Sequence, residues 1–238
     1  MVSRLKLGDI EVDVHLKDIK NIHLSVHPPT GRVRISAPQR MKLDTIRLFA
    51  ISRLGWIRQQ QKRIKEQERE TPREYVERES HYVWGSRCLL HITEAGGAPS
   101  VELRHNKIDL SIRSGASAAK KEEILENWYR SQIRNAVPRL IAKWELRLGV
   151  KVAAIYVQKM KTKWGSCNTK RRTVRLNTDL AKKPPVCLEY IVVHEMLHII
   201  EPTHNNRFIE MMDKSLPNWQ ITRSELNRLP VRHEEWGY

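Results

Sequence analysis

Three histidines and two glutamates lie within the eleven residues of the stretch "HEMLHIIEPTH", which runs from His194 to His204, and the first glutamate, Glu195, directly follows the first histidine. His194 and His198 are four residues apart, so on a helix both side chains project from the same face. Glu195 lies beside that face. Two imidazoles at this spacing bind one Zn²⁺, and the glutamate acts as the general base towards a water molecule. The pattern therefore predicts a hydrolytic zinc site.

A catalytic zinc site of this type has three protein ligands, and His204 is the first candidate for the third. Pro202 disfavours helical backbone at Glu201, so the helix is expected to end there and the chain to return His204 towards the metal. Glu201, Glu210 and Asp213 are alternative third ligands. Histidines on an apolar helix can also be merely packed, but a buried cluster of His and Glu without partners is costly.

The chain carries a net charge of +16, and the excess is concentrated just before the histidines. Residues 151–185 hold ten basic side chains and one acidic one, whereas residues 186–238 have a net charge of −3. Such a segment predicts an anionic substrate or backbone-directed binding of nucleic acid. The alternative is a solvated face that keeps the protein in solution. The basic residues considered are Lys159, Lys161, Lys163, Lys170, Arg171, Arg172 and Arg175.

The elements that would position these groups indicate an α+β protein. Alternating apolar and polar residues predict strands, and apolar residues at three- and four-residue intervals predict helices. The predicted strands are residues 10–16, 23–27, 32–36, 82–83, 88–93, 101–104, 107–112, 152–158 and 173–176. The predicted helices are residues 43–70, 117–148, 206–214, 221–229 and a motif helix opened by Pro184 or Pro185. A Pro-Pro-Thr-Gly turn at residues 28–31 predicts a hairpin.

The predicted organisation is a β-rich region with a long helix over residues 1–79, followed by strands and the catalytic core over residues 80–238. The motif region spans residues 152–229. Cys88, Cys167 and Cys187 are odd in number and far apart, which favours a reducing cytoplasm. The charged N-terminus is unlike a signal peptide, and no apolar run is long enough to predict a transmembrane helix.

Several short motifs together resemble the YgjP-like metallopeptidase family. The residues that carry this resemblance are "WGSC" at 164–167, "VVHEMLH" at 192–198, His204, Phe208, "PNW" at 217–219, and the N-terminal "GRVRISAP" followed by Trp56 and Ile57. The resemblance covers nearly the whole chain. It implies a zincin-like catalytic core, with a helix bearing HExxH packed on a small sheet, related to the SprT-like and WLM proteases. It also implies zinc held by His194, His198 and His204, with Glu195 catalytic.

Residues for substrate binding are expected around the "WGSC" loop and the motif helix. A peptide adds to an edge strand in this class of enzyme, and residues 173–176 are a candidate edge. Trp164 either lines the substrate cleft or packs in the core. Gly165 permits close approach of the backbone. Cys167 is either an additional metal ligand or a small buried residue. Arg172 and Arg175 are basic candidates. The donors considered for stabilising the transition state are Tyr190, Arg207, His233 and Tyr238.

These observations favour a cytoplasmic zinc peptidase with one zinc ion per chain that acts on peptides or proteins. A metal-dependent hydrolase of nucleotide phosphoanhydrides is an alternative, although neither a P-loop nor a carboxylate-rich magnesium site is visible. A nucleic-acid-associated protease or binding module is a third possibility.

Overall fold

A computed structural model describes residues 2–27, 30–66, 70–161 and 163–229. The chain divides into two compact units between Glu70 and Thr71, and the second unit ends at Leu229. The boundary predicted from the sequence lay nine residues later, between residues 79 and 80.

The first unit is a four-stranded sheet with two helices. Its elements are β1 (Val2–Leu7), β2 (Ile10–Lys17), β3 (His23–His27), β4 (Arg32–Pro38), α1 (Leu43–Ser52) and α2 (Leu54–Glu66), with strand order β1-β2-β4-β3. Alternate residues of β2 and β4 share one buried cluster with α1 and α2 because successive strand side chains point to opposite faces. That cluster includes Val12, Val14, Ile35, Ile46 and Ile57.

Two predictions for this unit have different outcomes. The antiparallel pairing of β3 with β4 confirms the hairpin, whose turn residues Pro28 and Pro29 lie outside the described residues. The prediction of one helix over residues 43–70 is wrong. Arg53 leaves the helical conformation, with φ −107° and ψ 6°, and separates two helices. Gly55 follows closely, and glycine is a poor helix former.

The second unit begins with a four-stranded sheet and one long helix. Its elements are β5 (Ser80–Val83), β6 (Ser86–Glu94), β7 (Ser100–Arg104), β8 (Lys107–Ile112) and α3 (Ala118–Leu148), with strand order β5-β6-β8-β7. The Ser117 side chain caps α3 by accepting the Lys120 N–H, and Gly149 ends it in the left-handed conformation. Leu90, Ile108 and Ile133 belong to the core that this sheet and α3 share.

A three-stranded sheet and three helices complete the second unit. The elements are β9 (Ala154–Gln158), β10 (Gly165–Asn168), β11 (Thr173–Asn177), a 3-10 helix (Thr178–Lys182), α4 (Pro185–Leu197), α5 (Asn206–Ser215) and α6 (Trp219–Arg228). The strand order is β10-β11-β9, with β10 antiparallel and β9 parallel to β11.

This sheet corrects two predictions made from the sequence. Residues 159–172 were predicted to be a connecting loop, but they contain β10. Residues 173–176 were a candidate edge strand, but β11 is the central strand and β10 lies at an edge. The strand β10 has only four residues, and its sequence, Gly-Ser-Cys-Asn, lacks the alternation that makes a half-buried strand visible.

The motif helix α4 is buried on nearly every side. Nine of its thirteen residues are buried, and it packs against α3, α5, α6 and the three-stranded sheet. A helix that is apolar all round is expected in such a central position. The predicted α+β class is confirmed, with the HExxH helix on a small sheet. In the part of the chain that is described, no helix combines the length and apolarity needed to cross a bilayer.

Candidate metal centre

The first two histidines lie at the end of α4. The helix runs from Pro185 to Leu197, with Pro184 as its N-cap residue and His198 as its C-cap residue. It ends four residues before the predicted position at Glu201, because residues 198–200 form a tighter turn in which the Ile200 N–H donates to the Leu197 carbonyl at 2.9 Å. His198 still lies one turn after His194.

Hydrogen bonds in the connection to α5 return the chain to the end of α4. The Glu201 carboxylate accepts hydrogen bonds from the backbone N–H and the hydroxyl of Thr203. The Asn205 side chain caps α5 by accepting the Phe208 N–H at 3.0 Å. His204 directly precedes that cap, so the two hydrogen-bonded groups fix its backbone on both sides.

The three imidazoles converge. One nitrogen from each of His194, His198 and His204 lies within 4.8 Å of the other two, and the Nε2 atoms of His194 and His204 are 3.0 Å apart. The ring centroids are separated by 4.7–4.9 Å. A set of three imidazole nitrogens at these separations has the donor chemistry that zinc prefers.

The ring of Phe208 packs against all three imidazole rings. Its ring centroid lies 5.0 Å from that of His194 and 4.8 Å from those of His198 and His204. The side chain is only 2% exposed. The sequence contained a signal for this contact, since Phe208 is the first apolar residue of α5, four positions after His204, but its position beneath the rings depends on how α5 packs on α4.

The protonation of the histidines also suits a metal ion. Burial and the neighbouring rings lower the pKa of His194 to about 3, and burial lowers that of His204, so both are neutral at neutral pH. The Nδ1 atom of His198 lies 3.1 Å from the Glu201 carbonyl, which fixes the tautomer with a free Nε2 lone pair. The Nδ1 atom of His194 is buried without a hydrogen-bond partner among the described residues. The residues therefore fit a metal ion.

Glu195 lies where α4 packs against β10. It is 6% exposed, and burial raises its pKa to about 7, with the charge of Lys163 opposing that rise. A Cβ atom on Gly165 would lie 2.7 Å from Oε1 of Glu195 and 2.8 Å from Cγ2 of Ile191. Only a glycine therefore fits at this point of the strand, as its predicted role of close backbone approach requires.

Cys167 lies on the same face of β10 as Gly165, because alternate strand residues share a face. The Cys167 thiol is not part of the cluster that His194, His198 and His204 form. Burial raises its pKa to about 11, with a further contribution from the Glu195 charge. The thiol therefore stays protonated at neutral pH, which weakens it as a metal ligand.

The other substrate-binding candidates are dispersed. Tyr190 lies one turn before His194, buried, with its ring 5.9 Å from the His194 ring and stacked on Trp219. Trp164 is partly buried against the core, close to the Lys183 ammonium. Arg172 is exposed in the turn after β10, and Arg175 lies over Tyr156 on the face of the sheet opposite α4. Neither arginine reaches the histidines.

The structure also places the alternative third metal ligands and one further donor considered for the transition state. Glu201 bonds to Thr203, Glu210 is exposed on α5, and Asp213 accepts the Trp219 indole N–H at 2.7 Å. Arg207 is exposed near Glu201. The remaining donor candidates, His233 and Tyr238, lie outside the described residues.

One basic residue beside the site was not predicted. Arg223, on α6, has its guanidinium carbon 5.9 Å from the ring centroid of Trp219. Its charge contributes to lowering the pKa of His194 and of His204. No local sequence pattern indicates this position, because Arg223 lies nineteen residues beyond His204 and approaches only through the packing of α6 on α4.

On the outer edge of β10, backbone groups have no hydrogen-bond partner among the described residues. The Asn177 N–H donates to the Trp164 carbonyl at 2.9 Å, which sets the hydrogen-bonding pattern of the β10–β11 ladder. In an antiparallel pair, every second residue directs its backbone N–H and carbonyl groups towards the partner strand, and the residues between them direct these groups away from it. Ser166 therefore bonds to Arg175 within the sheet, while the N–H and carbonyl groups of Gly165 and Cys167 point away from β11.

Comparison with known proteins matches the chain to one family, and two of the solved structures that resemble it are distant metallopeptidases. The family model described as "YgjP-like, metallopeptidase domain" matches residues 20–229. The metallopeptidase zymogen of Pyrococcus abyssi abylysin is 20% identical, and the match covers 40% of this chain and 99% of that chain at a TM-score of 0.36. The metallopeptidase zymogen of Methanocaldococcus jannaschii jannalysin is 21% identical, and the match covers 40% of this chain and 86% of that chain at a TM-score of 0.32. No curated protein matches the chain.

Proposed function

Because the chain belongs to the YgjP-like metallopeptidase family, we propose that it is a zinc-dependent peptidase with Glu195 as general base. One zinc ion per chain would be held by His194, His198 and His204. The observation that carries this proposal is the convergence of three imidazoles, with one nitrogen of each within 4.8 Å of the other two, next to the buried Glu195 carboxylate of α4.

A zinc ion held by His194, His198 and His204 would supply Lewis acidity, which would acidify water and polarise a carbonyl group. The Glu195 carboxylate removes one proton from a water molecule while the oxygen of that water adds to the peptide carbonyl carbon. The same carboxyl group then gives that proton to the leaving amine as the C–N bond breaks. Burial raises the pKa of Glu195 above its ordinary value, which makes its carboxylate a stronger base for the first step.

Two features beside the site favour a peptide as substrate. The outward N–H and carbonyl groups of Gly165 and Cys167 can pair with an extended peptide, as an added strand does. A cavity of about 220 Å³ next to Tyr190 is lined largely by apolar groups, including Val186 and Trp219. Such a cavity suits the side chain of a peptide better than the phosphates of a nucleotide.

The proposed compartment is the cytoplasm. Cys88, Cys167 and Cys187 are free thiols, and the first and last are buried. Three unpaired cysteines suit a reducing environment.

The test of this function is hydrolysis by the zinc-loaded protein and by Glu195→Gln. An unfolded protein and a set of peptides are the expected substrates, with nucleoside triphosphates as the comparison. Glu195→Gln should retain zinc and fold while activity falls by about 10²–10⁴-fold, the usual contribution of a general acid–base group. Glu210→Gln, an exposed glutamate on α5, is the matched control and should keep full activity.

Three results would contradict the proposal. Release of phosphate from the triphosphates without peptide cleavage would assign a different bond. Full activity in Glu195→Gln would remove the general base. Loss of zinc in that variant would mean that Glu195 is a ligand.

A further inference from the structure

Asn177 has a buried side chain whose amide uses its full hydrogen-bonding capacity. It is the last residue of β11 and is 4% exposed. Its Oδ1 atom accepts the N–H groups of Asp179 at 3.1 Å and of Met160 at 3.4 Å. Its Nδ2 atom donates to the carbonyl groups of Met160 at 2.8 Å and of Lys163 at 2.9 Å. An Asn amide has two N–H donors and an oxygen with two lone pairs, so this network satisfies all of them.

Three of these four hydrogen bonds hold the segment that joins β9 to β10. This segment, residues 159–164, forms neither a strand nor a helix where the structure describes it. Its backbone groups therefore take partners from outside a regular ladder. Asn177 bonds to both ends of the segment, since Met160 lies just after β9 and Lys163 lies two residues before β10. The side chain thus fixes the path by which the chain enters β10.

Asn177 also orients the peptide unit that carries the Gly165 N–H. Its backbone N–H donates to the Trp164 carbonyl at 2.9 Å. The Trp164 carbonyl and the Gly165 N–H belong to one planar trans peptide unit, in which the two groups point in opposite directions. Because the carbonyl faces β11, the N–H faces the outer side of β10. The side chain holds the preceding carbonyl, that of Lys163, so Asn177 orients two successive peptide units.

We infer that Asn177 is a positioning residue for the substrate, which orients the Gly165 N–H to donate to a carbonyl group of a peptide that pairs with β10. This inference rests on the proposed peptidase function. Asn177 acts through Gly165, because its own amide is fully bonded within the protein. An N–H that is held in place before the peptide arrives loses little freedom on binding, and such preorganisation raises affinity.

The alternative is a role in stability alone. Asn177 is the N-cap residue of the 3-10 helix, where its side chain accepts the Asp179 N–H. Residues that cap helices stabilise proteins. The two roles use different atoms of the amide, since Oδ1 serves the cap and Nδ2 donates to the carbonyls of Met160 and Lys163. A substitution that keeps the acceptor and removes the donors therefore separates them.

The first experiment observes the Gly165 amide in the zinc-loaded full chain with Glu195→Gln, in which a peptide binds without being cleaved. Labelling with ¹³C-carbonyl Trp and ¹⁵N-Gly selects the glycines that follow a tryptophan, which are Gly85, Gly165 and Gly237. An extended peptide should slow hydrogen exchange of the Gly165 amide by about fivefold or more, the effect of one added hydrogen bond. Gly85, whose N–H donates to the Lys182 carbonyl, should be unaffected.

The second experiment changes Asn177. In the same background, Asn177→Ala and Asn177→Asp should each weaken binding of the extended peptide about fivefold and abolish its protection of the Gly165 amide. Asn177→Asp keeps an acceptor for the Asp179 N–H but has no donor for the two carbonyls. In the active enzyme both variants should lower kcat/KM for the extended peptide by the same factor. Hydrolysis of a dipeptide derivative, which is too short to pair along the strand, should be unchanged.

Asn168→Ala is the matched control. The Asn168 side chain accepts the Arg171 N–H at 2.9 Å in the turn at the other end of β10 and β11. Its loss should lower the thermal stability while peptide affinity and protection of the Gly165 amide are retained. Asn177→Ala should lower the thermal stability as well, so only the peptide measurements distinguish positioning from stability.

Three results would overturn the inference. These are an extended peptide that binds without protecting the Gly165 amide, full affinity and protection in Asn177→Asp, and equal losses for the extended peptide and the dipeptide derivative. The first needs no change at Asn177, so it decides even where those variants fail to fold. A protein that binds the peptide with Gly165 protected, but whose wild type cleaves no peptide, refutes the proposed function alone. A protein that binds no peptide refutes both.

Discussion

His204 lies outside the helix that carries its two partners, so its contribution to the metal site is the most sensitive to the local fold. Substituting His204 by Ala removes one of three converging nitrogens. Zinc held by two imidazoles is bound far more weakly, because structural and catalytic zinc sites need three or four protein ligands. Metal analysis after dialysis against a chelator should therefore find about one zinc per wild-type chain and strongly reduced zinc in His204→Ala.

Glu210→Ala and Asp213→Ala are the matched controls, since both carboxylates were alternative third ligands. Glu210 is exposed and Asp213 bonds to Trp219, so neither substitution should release zinc. Retention of zinc by His204→Ala together with its loss from either control would reassign the third ligand.

Gly165 marks the point where β10 approaches α4. Gly165→Ala introduces a methyl group 2.7 Å from the Glu195 carboxylate, so the strand or the glutamate must shift. Overpacking of this kind costs about 1–3 kcal/mol of unfolding free energy. Activity should fall even where the protein remains folded, because the general base is displaced. Thermal unfolding and peptide hydrolysis would be measured against Gly97→Ala, where an added Cβ meets nothing within 4 Å. Equal effects of the two substitutions would contradict this explanation.

Asp13 provides a pH-dependent contribution to stability in the first unit. Its side chain is 7% exposed and pairs with Arg32 and, at 3.5 Å, with Arg4. The hydrogen bond from Arg32 lowers the pKa of Asp13 below its ordinary value of 3.8. The folded state thus favours the ionised carboxylate, so the stabilisation is present above the ordinary pKa and is lost as the pH falls below it.

Asp13→Asn should lower the unfolding free energy by about 1.5–3 kcal/mol near neutral pH, the contribution of a hydrogen bond to a charged group. The difference from wild type should shrink below pH of about 4, as the carboxylate becomes protonated in the wild type too. Urea unfolding at several pH values measures this. Asp9→Asn breaks an exposed pair with Arg58 and should have little effect. A difference that persists undiminished in acid would show that the Asp13 charge is not responsible.

Side chains within the HExxH pattern could be predicted because their relation is set by helix geometry alone. The spacing of His194 and His198 gives their common face, and Pro202 gave the reason for the return of His204. Phe208 and Arg223 could not be assigned in this way. Their positions depend on how α5 and α6 pack against α4, and no local pattern encodes that packing.

At the scale of elements, β10 is the strand through which a peptide would be held. Cys167→Pro removes one outward N–H and leaves the bonds between Ser166 and Arg175 intact. Proline is tolerated in an edge strand where its nitrogen faces outwards. If a peptide pairs with this edge, loss of one hydrogen bond of about 1 kcal/mol should reduce kcat/KM by about fivefold.

Two comparisons isolate that hydrogen bond. Cys167→Ala keeps the backbone N–H and should keep kcat/KM, since the thiol is not needed for pairing. A dipeptide derivative is too short to pair along the strand, and its hydrolysis by Cys167→Pro should match wild type. Ser166→Pro, by contrast, removes a bond within the sheet and should lower the thermal stability instead. Peptide kinetics that are unchanged in Cys167→Pro would exclude substrate pairing at this residue.

The longest helix was predicted well, whereas the strands β1 and β10 were missed. The helix over residues 117–148 has repeated apolar positions and a Ser117 cap, and the structure has it at Ala118–Leu148. The strand β10 depends on pairing with β11 and not on its own composition. The break at Arg53 and the early end of α4 at Leu197 are local backbone changes, which hydrophobic periodicity does not register.

At the scale of the molecule, the candidate site lies wholly in the second unit, between Thr71 and Leu229. The order of the elements explains this. The three-stranded sheet, α4, α5 and α6 follow one another without interruption from Ala154 to Arg228, so the site is built from neighbouring segments. The basic segment belongs to the same unit, and its charges therefore act on whatever approaches the site.

Lys170, Arg171 and Arg172 are exposed in the turn between β10 and β11. If the basic segment binds nucleic acid, the binding should be electrostatic and independent of base sequence. Each phosphate neutralised contributes about −0.9 to the slope of log affinity against log salt concentration on duplex DNA. Replacing the three residues by Ser should flatten that slope by about two to three units. Fluorescence anisotropy with labelled DNA at several salt concentrations measures it.

The matched control for this experiment is replacement of Arg63, Lys65 and Lys62 in α2, three exposed basic residues of the first unit, by Ser. Both triple variants lower the net charge by three, so an effect of total charge alone would flatten the slope equally in the two. A specific role of the β10–β11 turn requires that the salt slope flattens more in the variant of Lys170, Arg171 and Arg172 than in the α2 variant. Absence of binding by the wild type at about 50 mM salt, where phosphate contacts are strongest, would exclude nucleic acid. The turn would then serve solubility or attract acidic segments of a protein substrate towards the neighbouring edge strand.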